Sequence, residues 1–164
     1  MKSLQQHIEE KLIINKDYKN GYLFYPKDLD ELNEIIAERY ESEGEGTEKD
    51  PINLNDVDIS KLNSLQAAFS STPIKFLDIS EWNVENIKDL SFIFYNSSLE
   101  YVNMSNWNIK HNINIYAMFD KSNLRYHSCD FSNLPETEHN IDFIKKLDFN
   151  YNVQRFIFPK WYDN

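Results

Sequence analysis

The stretch Ile74-Lys75-Phe76-Leu77-Asp78-Ile79-Ser80-Glu81-Trp82-Asn83-Val84 is followed, 25 residues on, by Leu99-Glu100-Tyr101-Val102-Asn103-Met104-Ser105-Asn106-Trp107-Asn108-Ile109. The match continues through Leu90 and Ile115 to Phe94 and Phe119, apolar for apolar. Alternation along each block predicts a short strand with Leu77, Ile79, Val102 and Met104 turned inward. A fixed period of roughly 20–29 residues with one strand per unit predicts a solenoid, in which each unit needs neighbours to bury its apolar face.

The same period extends in both directions. Ile52, Leu54, Val57, Ile59, Leu62, Leu65 and Phe69 fall on Leu77, Ile79, Trp82, Val84, Ile87, Leu90 and Phe94, so residues 49–73 form a divergent first repeat. Towards the C-terminus, Leu124, Tyr126, Cys129, Leu134 and Ile144 keep the register, while Ser132 stands where tryptophan is expected and Asn140 where an apolar residue is expected. Residues 124–148 therefore read as a decaying, terminal repeat.

The phrases Ser80-Glu81-Trp82-Asn83-Val84 and Ser105-Asn106-Trp107-Asn108-Ile109 each follow a short apolar strand. They resemble BspA-type leucine-rich repeats, and Leu54-Asn55-Asp56-Val57-Asp58-Ile59-Ser60 resembles the opening phrase of that family. The resemblance covers roughly residues 51–130 and implies a helix in each repeat, ending near Ile93-Phe94 and Met118-Phe119. It also implies a surface-exposed binding role, and it implies that Trp82 and Trp107 pack in the core at the strand-to-helix corner.

The expected fold is α/β: a short leucine-rich-repeat-like solenoid of period 25, strand plus helix per repeat, with an N-terminal α-helical cap. One continuous domain is expected. It divides into residues 1–48 (cap and acidic connector), repeats 49–73, 74–98, 99–123 and 124–148, and a C-terminal aromatic cap at 149–164.

In the N-terminal block, Leu4, Ile8 and Leu12 recur at helical spacing, which predicts an amphipathic helix over residues 3–15. Asn20-Gly21 signals a turn before the strand-like Tyr22-Leu23-Phe24-Tyr25. Asp28 and Glu31 form a capping box, with Glu31 expected to reach back to the Asp28 amide, for a helix that carries Leu29, Leu32, Ile35 and Ile36 on one stripe and ends near Glu43-Gly44. At the other end, Ile141, Ile144 and Leu147 predict a short helix. Phe149 to Val153 and Arg155 to Pro159 read as strand, and Trp161 and Tyr162 complete an aromatic tail that covers the last sheet edge.

Composition narrows the function class. The chain has 164 residues, 41% hydrophobic, with three glycines and one cysteine. That is enough for one core, with no phosphate-cradling glycine loop and no internal disulfide. The start Met1-Lys2-Ser3-Leu4-Gln5-Gln6-His7 lacks a signal-peptide apolar core, and no apolar run approaches the roughly 20 residues of a membrane span. A cytoplasmic address is expected. The charge balance, 17 basic against 27 acidic side chains, gives −10, and residues 1–50 alone hold 7 basic and 13 acidic groups. Such a field opposes nucleic acid and anionic membranes and favours a basic protein surface.

Catalytic and metal chemistry find no support. His7, His111, His127 and His139 show no metal-ligand spacing, and the carboxylates form no specific acid–base pair. His127 and Cys129 share a strand face and are expected as core residues rather than a thiolate–imidazole pair. No enzyme activity, cofactor or metal is expected.

The outward strand positions should stack from repeat to repeat. They form an aromatic ladder Phe76, Tyr101, Tyr126, flanked by Asp78, Asn103, Ser128 and by Ser80, Ser105, Asp130. Aromatics beside short polar and acidic groups suit a protein-binding surface. Phe76, Asp78, Tyr101, Asn103, Tyr126 and Asp130 are the candidate partner-binding residues, with Glu41, Glu43 and Glu45 of the acidic connector as a secondary site. The expected function is a non-enzymatic protein–protein interaction module. In its sharper form it is a small acidic intracellular inhibitor of anti-defence or immunity type, such as a phage anti-defence factor, acting on a basic surface of a target such as a nucleic-acid-handling enzyme. The alternative, implied by the BspA resemblance, is a surface or secreted adhesion-type leucine-rich-repeat protein or a fragment of one.

Overall fold

The computed structural model describes residues 23–109, 111–124, 129–150 and 156–162. Among these, the elements in chain order are α1 (Leu29–Glu43), β1 (Ile52–Asn53), β2 (Phe76–Asp78), β3 (Tyr101–Asn103), β4 (Cys129–Asp130), α2 (Glu138–Asn150) and β5 (Phe156–Ile157). The strands form one parallel sheet in sequence order, β1 to β5. The result, among the described residues, is a mixed α/β, solenoid-like fold with an open sheet and two helices.

The strands are short because each of the first four ends on a residue that turns the chain. Asn53, Asp78, Asn103 and Asp130 fold a side-chain oxygen back onto the N–H two residues ahead, at 2.9, 3.0, 3.1 and 2.8 Å. Asn and Asp make such turns without needing glycine, which accounts for corners built in a chain with three glycines.

Between the strands the structure departs from the expectation of a helix in each repeat. Ser64, Asp89 and Asn114 pair by parallel bridges, and their side chains accept the N–H groups of Gln66, Ser91 and Tyr116 at 3.1, 2.8 and 3.1 Å. The N–H groups of Leu65, Ala67, Phe69 and Ser71 then bond the carbonyls of Asp89, Ser91, Ile93 and Tyr95, and those of Leu90, Phe92, Phe94 and Asn96 bond Asn114, Tyr116, Met118 and Asp120. Side chains that bond locally compete with helix formation, and here the backbone partners lie in the adjacent turn segment. Left-handed backbone recurs at Ala67, Phe92 and Ala117 and again at Ser71, Asn96 and Lys121. The expected helix therefore appears only in the last unit, as α2.

The core lies between the sheet and this second ladder. Leu77, Ile79, Val102 and Met104 are fully buried, as the alternation predicts. Phe69, Phe94 and Phe119 stack in a column at 5.8 and 5.3 Å, and Phe156 closes it edge-on to Phe119 at 5.5 Å. Trp82 and Trp107 are core residues whose indole N–H groups donate to the carbonyls of Leu54 and Ile79, each at 2.8 Å. Each tryptophan thus ties its strand to the preceding one.

The last units shift register. Ile52 pairs with Leu77 and Leu77 with Val102, but Val102 pairs with Cys129 and Cys129 with Phe156, an offset of 27 rather than 25. Cys129 therefore takes the place of Val102 and Phe131 that of Met104, while Leu134 rather than Ser132 stands at the tryptophan position. Trp161 adds an indole bond of its own, to the Leu134 carbonyl at 2.7 Å. Asn140, which stands where the repeat pattern expects an apolar residue, is completely buried. Its Oδ1 accepts the Ile109 N–H at 2.8 Å, and its Nδ2 donates to Pro135 O at 2.8 Å and to Asn108 Oδ1 at 3.3 Å, fixing the start of α2 to the corner after Trp107.

At the N-terminal side, Asp28 caps α1 through the Glu31 N–H at 3.0 Å, and Leu32, Ile35 and Ile36 face the core. Glu31 reaches back to the Lys27 N–H at 2.9 Å rather than to Asp28, one residue earlier than expected, and also pairs with the Lys27 ammonium. The helix ends at Gly44 as anticipated, with φ +78°. Phe24 contributes a single parallel bridge to Val57. The helix expected over residues 3–15 and the Asn20-Gly21 turn lie outside the described residues. So do residues 151–153 of the expected strand, whose first two positions, 149 and 150, are helical instead.

Candidate functional site

The sheet register assembles the face anticipated from the alternation. Phe76 lies opposite Tyr101, Asp78 opposite Asn103, and Asn103 opposite Asp130, all five half-buried. Two expectations change. Asn103 meets Asp130 rather than Ser128 because of the two-residue shift, and Ser80 and Ser105 are buried instead of facing outward. Tyr126, His127 and Ser128 lie outside the described residues.

Asp78 is the most connected group on this face. One carboxylate oxygen accepts the Ser80 N–H at 3.0 Å, the Ser80 hydroxyl at 2.8 Å and Asn55 Nδ2 at 2.9 Å, while the other accepts Asn103 Nδ2 at 3.3 Å. Burial opposes the charge, yet these bonds together outweigh it and hold the carboxyl below its ordinary pKa. A carboxyl depressed in the folded state contributes stability above its unfolded pKa of about 3.9 and loses that contribution as pH falls through the folded value. Wild type should therefore exceed Asp78→Asn in urea midpoint near pH 6, with the gap shrinking below about pH 4. A gap independent of pH would show that the ionised carboxylate is not what these bonds favour. Beside it, burial raises the Tyr101 phenol, and the Asp130 and Asp78 charges push it the same way.

The acidic connector is docked rather than free. The Glu45 carbonyl accepts the N–H groups of Lys75 and Phe76 at 2.8 and 3.2 Å, and its carboxylate pairs with the Lys75 ammonium at 2.5 Å. Gly46 is required there, because with φ +72° a Cβ would sit 2.6 Å from the Phe76 carbonyl oxygen. Glu45 thereby joins the edge of the sheet face next to Phe76. Glu43 remains on the last turn of α1, paired with Arg39 at 3.4 Å, and Glu41 is exposed on the same helix. Arg39 in turn holds both Asp56 oxygens at 3.0 and 2.8 Å and the Asn53 carbonyl at 3.1 Å, closing the β1 edge.

Two groupings escape the sequence reading. A polar row beside the face links Asn55 to the Glu81 N–H at 2.9 Å, Glu81 to Asn106 at 2.5 Å and Asn106 to Asn133 at 3.3 Å; the 25-residue spacing of Glu81 and Asn106 is the signal that marks it. The second grouping is a set of surface rings, Phe92, Tyr95 and Tyr116, on the turn ladder, where a helix was expected.

Among the described residues no three His, Cys, Asp or Glu side chains are arranged to hold a metal, and Cys129 is buried. Nor is any described helix long and apolar enough to cross a membrane. An open cleft of about 700 Å³ is lined by Asn112, His139 and the start of α2, where it mixes Glu138 and Asp142 with Lys145 and Lys146. Lys146 is held by Asp142 at 2.8 Å, so the cleft presents no single charge.

Compared with known proteins, the chain matches no curated protein and no solved structure. Residues 43–156 match the family model described as "Mycoplasma protein of unknown function, DUF285". That span runs from the end of α1 into β5, taking in the whole parallel sheet up to its last strand. On that match across most of its length, the chain belongs to the DUF285 family.

Proposed function

We propose that this protein is a non-enzymatic protein–protein interaction module whose stacked units are BspA-type leucine-rich repeats, of period 25 in the first units and 27 in the last. The observation that carries the reading is the rigid front face, where Phe76 and Tyr101 stand in direct register beside Asp78, Asn103 and Asp130. Their backbone is held by parallel pairing and by the turns that end β1 to β4, so little ordering entropy opposes association. Half-buried rings offer contact area, while the surrounding carboxylates and the net charge of −10 favour a basic partner surface. In this reading the protein acts as a small acidic inhibitor, of anti-defence or immunity type, which covers the basic surface of a target inside the cell.

The test compares wild type with Phe76→Ala/Tyr101→Ala, both verified as folded, in affinity capture followed by identification of the partner and measurement of association rates. A basic protein should be retained by wild type and lost by the double variant. Its association rate should fall severalfold as salt rises from about 50 to 500 mM, because steering by exposed charge is screened. A partner that is neutral, or one bound equally by the double variant, would remove this reading.

A further inference from the structure

Phe92 occupies left-handed backbone, φ +58°, at the position held by Ala67 and Ala117 in the adjoining turns. Bulky residues are rarely found there, and strained positions of this kind cluster at functional sites. The ring is only half-buried, so the core does not require it. It is edge-on to Tyr95 at 5.6 Å and to Tyr116 at 5.3 Å, and Tyr116 is 70% exposed. The turn ladder thus presents three contiguous rings, apart from the front face.

The chemistry of the patch is not that of a plain apolar surface. Lys121 places its ammonium 5.1 Å from the centroid of Tyr95, so one ring already carries a cation. Asp120, exposed, has its carbonyl bonded by the Asn96 N–H next to Tyr95, whereas Asp89 is engaged by the Ser91 N–H and Asn114 Nδ2 at 2.8 and 3.2 Å. Ring faces attract cations through their quadrupole, and a planar guanidinium can stack on a ring while bonding a carboxylate. The excess of acid over the whole chain favours the same ligand.

We propose that Phe92, Tyr95 and Tyr116 form a second contact surface that seats an arginine side chain of a basic partner protein. The inference rests on the reading of the chain as a protein-binding module and is independent of which residues act on the sheet face. Arginine is favoured over lysine because a planar guanidinium can stack flat on an exposed ring such as Tyr116, whereas an ammonium is a compact, strongly hydrated point charge.

The experiment titrates the full chain with a nona-arginine peptide, a nona-lysine peptide and a nona-citrulline peptide by calorimetry at low salt. Wild type should bind the arginine peptide more tightly than the lysine peptide and should not bind the citrulline peptide. Tyr116→Ala and Phe92→Ala should each weaken arginine-peptide binding by about fivefold or more and abolish the preference over lysine. Phe92→Ala should melt within about 3 °C of wild type, because alanine already adopts this conformation in the neighbouring turns. Equal binding of the arginine and lysine peptides, or binding unchanged by Tyr116→Ala, would overturn the proposal by reducing it to long-range charge. Arginine binding lost in Phe76→Ala/Tyr101→Ala but kept in Tyr116→Ala would overturn it while leaving the sheet-face function standing. No binding of the arginine peptide by wild type would overturn it as well, with the sheet-face reading then decided by its own partner capture.

Discussion

Trp107→Ala should remove a large share of the stability of this protein. The side chain is completely buried, and large-to-small changes at such aromatic sites cost about 3–5 kcal/mol. The Ile79 carbonyl would also lose the indole N–H at 2.8 Å and keep only the Trp82 N–H at 3.2 Å, adding about 0.5–1.5 kcal/mol. Against a total of about 5–15 kcal/mol for a natural domain, the sum is a large share. Urea unfolding followed by circular dichroism should show the midpoint falling steeply for Trp107→Ala. Trp107→Phe keeps one aromatic ring but loses the donor and part of the indole volume, so it should fall between wild type and Trp107→Ala. A Trp107→Ala midpoint within error of wild type would mean that the indole bond between units is not a tie.

Asn140→Leu is the second substitution with a large expected effect, although it puts an apolar residue where the repeat pattern asks for one. The Ile109 N–H and the Pro135 carbonyl would both lose their partner inside the protein, at about 1–3 kcal/mol each. The expected loss, about 2–5 kcal/mol, should appear as a lower urea midpoint with the slope preserved. Asn140→Asp adds a diagnostic arm. Its carboxylate could still accept from Ile109, but at neutral pH it would face the Pro135 and Asn108 oxygens without a proton to donate. That variant should be weakest near pH 7 and recover as pH falls and the carboxyl protonates. Leucine tolerated at this position would show that the bracket between α2 and the Trp107 corner is dispensable.

The two substitutions act through different physics, and their contrast says how the units are held. Trp107 combines apolar volume with one directional bond, whereas Asn140 contributes through bonds alone. Because they meet the same corner, Trp107 through its own position and Asn140 through Asn108 and Ile109, their effects should not add when combined.

Much of the fold was legible because burial imposes a period. Leu77, Ile79, Trp82, Phe94 and their counterparts 25 residues on could be assigned to the interior, and Phe76 and Tyr101 to the outer side of the sheet, since side chains alternate along a strand. The caps of α1 were equally plain, because Asp28 and Gly44 act within one turn of chain. What lay between the strands was not. Apolar spacing around Leu90 and Phe94 fits a helix as well as a turn ladder, and the choice falls to Ser64, Asp89 and Asn114, whose side chains bond locally only because the adjoining turn segment accepts the backbone.

The sequence by itself thus determined which side chains go inside, how often, and which strand positions share a face, because these follow from local spacing. Only the tertiary structure decided the register after Asn123, the conversion of expected helices into a second ladder, and the exposure of Phe92, Tyr95 and Tyr116. Each of these depends on hydrogen bonds between residues 24 or more positions apart, whose partners exist only once neighbouring segments have stacked.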